Sequence, residues 1–167
     1  ASTAPPPAPS GMPSSTSQAN DGATEKPTRA SAVIRQLAAT TTPVPTPAQQ
    51  FLRITELMFA PVAPTAAELA LAPGTSAGDY EFIEFRNTGN NDLVLTNCTF
   101  TDGIEFTFPV LTLAAGQHTL VVKNPTAFAA RYGTGHGIAG SYSGALDNSG
   151  ERLRLEDAVG ETVLDFS

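Results

Sequence analysis

Tyr80–Gly89, YEFIEFRNTG, alternates apolar and charged residues, with Ile83 and Phe85 on one side and Glu84 and Arg86 on the other. Side chains of a strand point to opposite faces in turn, so this period-two pattern predicts a strand whose Ile83–Phe85 face enters a core. Tyr80 and Phe82 fall on the Glu84 side, which makes both faces partly apolar. A neighbouring loop or sheet edge is therefore expected over the first half of the strand. Asn87-Thr88-Gly89 closes it with residues that tolerate a tight turn. Asn87 and Gly89 are structural residues in this reading, beside Ile83, Glu84 and Phe85.

The same grammar of short strand, Gly/Asn/Asp turn and short strand extends in both directions. Upstream, Phe51–Phe59 (FLRITELMF) reads as a strand with Leu52, Ile54 and Leu57 inward. Ala60–Gly78 is a long Pro/Ala-rich loop in which AAELALA has room for one or two helical turns. Downstream, Leu93–Thr101 reads as one strand, with Leu93, Leu95 and Asn97 on one face. Asp102-Gly103 is the strongest hairpin signal in the chain and leads into Ile104–Phe108. Ala114-Ala115-Gly116 turns into a His118–Lys123 strand. Asn124-Pro125 caps and starts a short helix to Tyr132, which Gly133 ends. A Gly-rich loop, TGHGIAGSYSG, follows. The Ala145–Ser149 turn, with Gly150 just beyond it, precedes two last strands, Arg152–Leu155 and Glu161–Phe166. Seven or eight short strands with one helix predict an all-β fold, a two-sheet sandwich or barrel, rather than a helical one.

Composition sets the domain limits. Residues 1–50 hold 9 of the 14 prolines and no aromatic residue, whereas all 9 Phe and all 3 Tyr lie in 51–167. Aromatic side chains supply much of a core's buried area, so residues 1–50 read as a linker and 51–167 as the folded domain. Within the linker, Ala32–Ala39 is the one apolar piece and is expected to dock on the domain as an extra strand or helical turn. The chain opens ASTAPPPAPS without an initiator Met, like a processed N-terminus or a piece of a longer protein.

Residues 51–167 carry 14 acidic and 6 basic side chains, a net charge of −8. Such a surface repels phosphate backbones, which excludes nucleic acid as a natural partner. No stretch approaches the ~20 apolar residues of a membrane-spanning helix. Cys98 is the only cysteine, so no intramolecular disulfide forms, and its setting in LVLTNCTF is that of a small buried hydrophobe.

RITELMF, DYEFIEFRNTG, LVLTNCTFTDG, the GQHTLVV strand and YSGALDNSGERLRLEDAVGETVLDF together resemble, in order, the bacterial form of the lamin-tail domain. The likeness runs from about Leu52 to Phe166. It implies an immunoglobulin-like sandwich without a conserved disulfide, in the role of a non-catalytic accessory module on an exported protein. The implied location is extracellular or at the cell surface, with a protein or cell-surface component as partner. Independently, an edge strand of such a fold offers a place for self-association. Where that family carries Gly-Trp, this chain has Asn97-Cys98, and Phe100 or the leader is expected to fill the space.

Catalytic signatures are absent: there is no nucleophile elbow, HExxH, P-loop or GxGxxG. His118 and His136 read as surface residues. Hard cations take several converging oxygens, which makes Asp79, Asp147 and Glu151 the candidates for Ca²⁺, against the plainer reading of a solvated turn with no cofactor. Tyr80, Phe82 and Tyr142 are candidates for an aromatic platform that binds a glycan, with core packing as the alternative. Glu84 forms a carboxylate pair with Glu81 only if a bulge intervenes; otherwise it accepts hydrogen bonds that fix a turn.

Overall fold

In the computed structural model, residues 44–167 are described; the Ala32–Ala39 docking expectation lies outside them. Helix α1 (Pro47–Phe51) comes first, in residues that composition assigned to the linker. Its start is a capping box. Thr46 Oγ1 accepts from the Gln49 amide at 3.3 Å, and Gln49 Oε1 accepts from the Thr46 amide at 2.7 Å. Ala48 is buried and packs in the core, so the folded unit begins before residue 51.

Four strands form the first sheet in the order β1 (Leu52–Met58), β2 (Phe82–Asn87), β6 (His118–Val122), β7 (Ile138–Ser141). Facing it are a three-stranded sheet, β4 (Thr99–Asp102), β8 (Leu153–Glu156) and β9 (Thr162–Phe166), and the short pair β3 (Leu93–Val94) and β5 (Thr112–Leu113). Leu52, Ile83, Phe85 and Val121 of the first sheet meet Leu93, Phe100, Leu113 and Leu155 of the others in one core. Phe85 stands edge-on to Phe108, with ring centroids 5.5 Å apart. The result is the predicted immunoglobulin-like sandwich.

The first half of β2 is buried on both faces, as its pattern requires, while Arg86 is exposed, and a helix rather than a loop or edge covers Phe82 on the second face. Helix α3 (Pro125–Tyr132) lays Phe128 and Tyr132 against Phe82, each edge-on at 5.4 Å. Asn124 caps it as expected, its side-chain oxygen accepting from the Thr126 and Ala127 amides. The helix carries the chain back so that β7 runs parallel to β6. That last strand lies inside the stretch read as a Gly-rich loop.

The strands differ from the sequence reading at several points, among them Ile104–Phe108, which makes only isolated bridges. Tyr80 closes a 3₁₀ turn (Ala77–Tyr80) instead of opening β2, because Asp79 Oδ2 accepts from the Ser76 amide at 2.8 Å and fixes that turn. In β1 the register shifts between Ile54 and Glu56. That extra residue is why Ile54 and Leu57, on opposite faces of a regular strand, both reach the core. Leu93–Thr101 is two strands, because Asn97 adopts φ 62° and breaks the run. Asn tolerates the left-handed region better than most residues.

Gly103 turns the hairpin at φ +90°. A Cβ there would meet Leu153 Cδ2 and lie 2.9 Å from the Arg152 carbonyl oxygen, which cannot rotate away. Gly103→Ala is therefore expected to cost about 2–3 kcal/mol from backbone strain and displacement together. A urea melt of the full chain measures it; a change below 0.5 kcal/mol would show that the hairpin relaxes freely. Gly89 is required for proximity instead: a Cβ there would lie 2.8 Å from Cγ of Phe51.

Candidate interaction site

Two sheet edges face each other without pairing. No ladder or isolated bridge joins β1 to β9 among the described residues. At one end α1 ties across the gap, where Gln49 Nε2 donates to the Thr162 carbonyl at 2.8 Å. At the other end the edges part around a cleft of about 380 Å³. Leu57, Leu146 and Leu153 lie along it with Phe59 and Phe166, and the 147–151 loop forms a polar rim. Phe59 and Phe166 are 43% and 38% exposed, which is unusual for side chains that size.

The rim is built from the DNSGE residues. Asp147 Oδ1 accepts from the Ser149 amide at 2.8 Å and from Ser149 Oγ at 2.6 Å. These bonds hold its carboxyl below the ordinary carboxylate range. Glu151 Oε1 accepts from the Asp147 amide at 2.9 Å, and Gly150 permits the turn at φ +98°. Neither carboxylate is paired with a cation among the described residues.

Beneath the rim lies a group that sequence reasoning did not single out for this role. Glu81 is a buried carboxylate, and its Oε2 accepts from Tyr142 Oη at 2.8 Å and from the Leu146 amide at 3.0 Å. Burial and the Glu81 hydrogen bond both push the Tyr142 phenol up, so it remains a donor. Lys123 Nζ stands 5.4 Å from the Tyr142 ring centroid and donates to the Gly144 carbonyl. Glu81 thus pins the segment that carries Leu146 into the cleft.

The other candidate residues separate. Asp79 is engaged by Ser76 and by Asn124 Nδ2 at 3.3 Å, the first of these holding its carboxyl below the ordinary range. No three His, Cys, Asp or Glu side chains gather as a metal set among the described residues. Tyr80, Phe82 and Tyr142 are all buried, so they form no exposed platform. The Tyr80 ring lies 3.7 Å beneath the Arg131 guanidinium. Arg131 in turn holds Glu68 of helix α2 (Ala66–Leu71) at 2.7 Å, and that hydrogen bond lowers the Glu68 carboxyl to about 2. This contact fastens the long Ala60–Gly78 loop to α3. Glu84 accepts from Thr55 Oγ1 at 2.6 Å across β1 and β2, so it joins strands instead of fixing a turn. His118 Nε2 is 4.0 Å from Glu84, and His136 contacts the Tyr132 carbonyl at 3.0 Å.

Asn87 is fully buried, and its side chain makes three hydrogen bonds. Its Nδ2 donates to the Asn91 carbonyl at 2.8 Å and to the Leu113 carbonyl at 2.9 Å, while Oδ1 accepts from the Gly89 amide at 2.9 Å. Cys98 is buried too. Burial first, and the nearby Asp157 second, push its thiol up to about 11. Phe100 packs toward Phe85 and does not fill the space beside Cys98, where a pit of about 190 Å³ is lined by Val94, Asp157 and Val159. Native Cys98 is accordingly expected to resist a disulfide reagent at pH 8 and to react at once in denaturant. Fast native labelling would contradict the burial.

The fold and the cleft define a class: an all-β sandwich with an apolar, acid-rimmed groove at two unpaired edges and no gathered metal set among the described residues. The family profile described as Lamin Tail Domain matches residues 45–167, and the chain belongs to that family. Its start at 45 agrees with helix α1 as the first element among the described residues. A search of curated proteins finds no match to the chain. Among the described residues no helix is long and apolar enough to cross a membrane.

Proposed function

We propose that this chain is a non-catalytic interaction module of a larger exported protein, working outside the cell or at its surface and holding a protein or cell-surface component. The observation that carries the reading is the cleft between β1 and β9, with its apolar floor and its polar atoms already engaged by the backbone. A groove of this kind supplies contact area but no activated group. Its carboxylates serve the turn that shapes the rim, which supports a module needing no calcium. The Pro-rich residues 1–43 suit a spacer that sets the module away from its neighbours.

Two measurements test this. Fluorescently labelled full chain should be retained on intact producing cells, and Phe166→Glu, altering a half-exposed wall, should lose retention while melting normally. Absence of retention, or equal retention of the variant, would remove the reading, as would turnover of an ester, phosphodiester, peptide or glycoside by purified protein. The melting temperature should be the same in excess Ca²⁺ and in EDTA. A rise with Ca²⁺ that EDTA reverses would replace the metal-free reading.

A further inference from the structure

We infer that the cleft seats an extended, cationic segment of the partner, with one apolar side chain on the Leu57–Leu146–Leu153 floor and a Lys or Arg against Asp147 and Glu151. This rests on the interaction-module reading and names the kind of partner. Extension follows from the edges. The sides of β1 and β9 that face the cleft present backbone groups with no ladder partner among the described residues, and a strand laid along either edge would satisfy them. An apolar anchor follows from the volume: about 380 Å³ is at the small end of ligand sites, and Phe59 and Phe166 stand partly exposed as its walls.

Positive charge follows from the rim and the whole module. Asp147 and Glu151 lack a cationic partner among the described residues, and the Ser149 hydrogen bonds hold the Asp147 carboxyl below the ordinary carboxylate range. Residues 51–167 carry a net −8, so a basic segment is drawn in and an acidic one is repelled. The rim fits a lysine or arginine better than a metal ion, because each carboxylate holds a backbone amide on one oxygen and keeps the other for a donor.

Fluorescein-labelled nine-residue peptides of alternating Lys and Thr with a central Phe provide the probe, titrated against the full chain by anisotropy. Controls replace the Phe by Gly or every Lys by Glu. Binding is expected for the Lys/Phe peptide alone and should weaken at least about tenfold between low and moderate salt. The double variant D147N/E151Q keeps both acceptor oxygens of the rim turn but removes the charges, and should bind about tenfold more weakly with an unchanged melt. F166E should lose the preference for Phe over Gly. Equal binding by D147N/E151Q, or by the Glu peptide, would overturn the inference. So would a dimer in light scattering that F166E dissolves, because a second copy would then occupy the cleft. If the peptides fail while wild-type chain is still retained on cells and F166E is not, the cationic occupant is wrong and the module's role stands.

Discussion

Replacing Asn87 by Asp is expected to destabilise the domain more than any other single-atom exchange in it. The amide nitrogen that donates to the Asn91 and Leu113 carbonyls becomes an oxygen facing two oxygens, in a site with no exposure. A buried acceptor without its donor costs about 1–3 kcal/mol, and a buried charge adds to that. About 4 kcal/mol is expected at neutral pH, a large part of the ~5–15 kcal/mol available to a domain. The sign of the pH dependence separates the two contributions. Desolvation and the facing carbonyls favour the protonated form of the new carboxyl, so its folded pKa lies above its unfolded one. The penalty is then smallest in acid and grows as pH rises through the unfolded pKa. Urea melts of N87D and N87A measure it. N87A should lose about 3 kcal/mol with no such pH trend. Loss below 1 kcal/mol in both would mean that the 87–91 turn and the Leu113 carbonyl find other partners.

The second large effect is at Glu81. Glu81→Ala leaves the Tyr142 hydroxyl and the Leu146 amide buried without an acceptor, at an expected cost of about 3 kcal/mol. Glu81→Gln is expected to cost under about 1 kcal/mol, because both donors use one oxygen and the amide retains one. Hydrogen exchange adds a local readout: E81A should lose protection over 142–151 beyond its global loss, and E81Q should not. Since Leu146 floors the cleft, E81A should also weaken whatever the cleft holds. Equal stability of E81A and E81Q would remove Glu81 as the anchor of this segment.

The two residues differ in how far the sequence exposed them. Asn87 stood at the end of a strand before Thr-Gly, so a turn role was legible, but not its reach to Leu113, 26 residues on. Glu81 stood by the period-two pattern on the Ile83–Phe85 face, but nothing in line showed what its carboxylate would meet there. Only the folding of Tyr142 and Leu146 over it makes it a buried anchor. The cleft was illegible for the same reason: its floor comes from Leu57, Leu146 and Leu153, and no local pattern brings these together. DNSGE, by contrast, did mark a tight acidic turn. Helix α1 was legible as well, since Thr46-Pro47-Ala48-Gln49 has the spacing of a capping box, yet proline content outweighed it. Thr65 and Glu68 repeat that spacing at α2.

What the amino-acid order determined alone is the set of short-range choices: period-two strands, the turn at Gly103, the Asn124 cap and the acidic surface. Each depends on sterics or charge within a few residues, so each can be read from the residues in line. The tertiary structure alone decided that α3 covers the outer face of β2, that β7 pairs in parallel with β6, that Glu81 is buried and that β1 and β9 part around a cleft. Those outcomes follow from which distant surfaces exclude water together, and that free energy belongs to the assembled sandwich rather than to any segment of it.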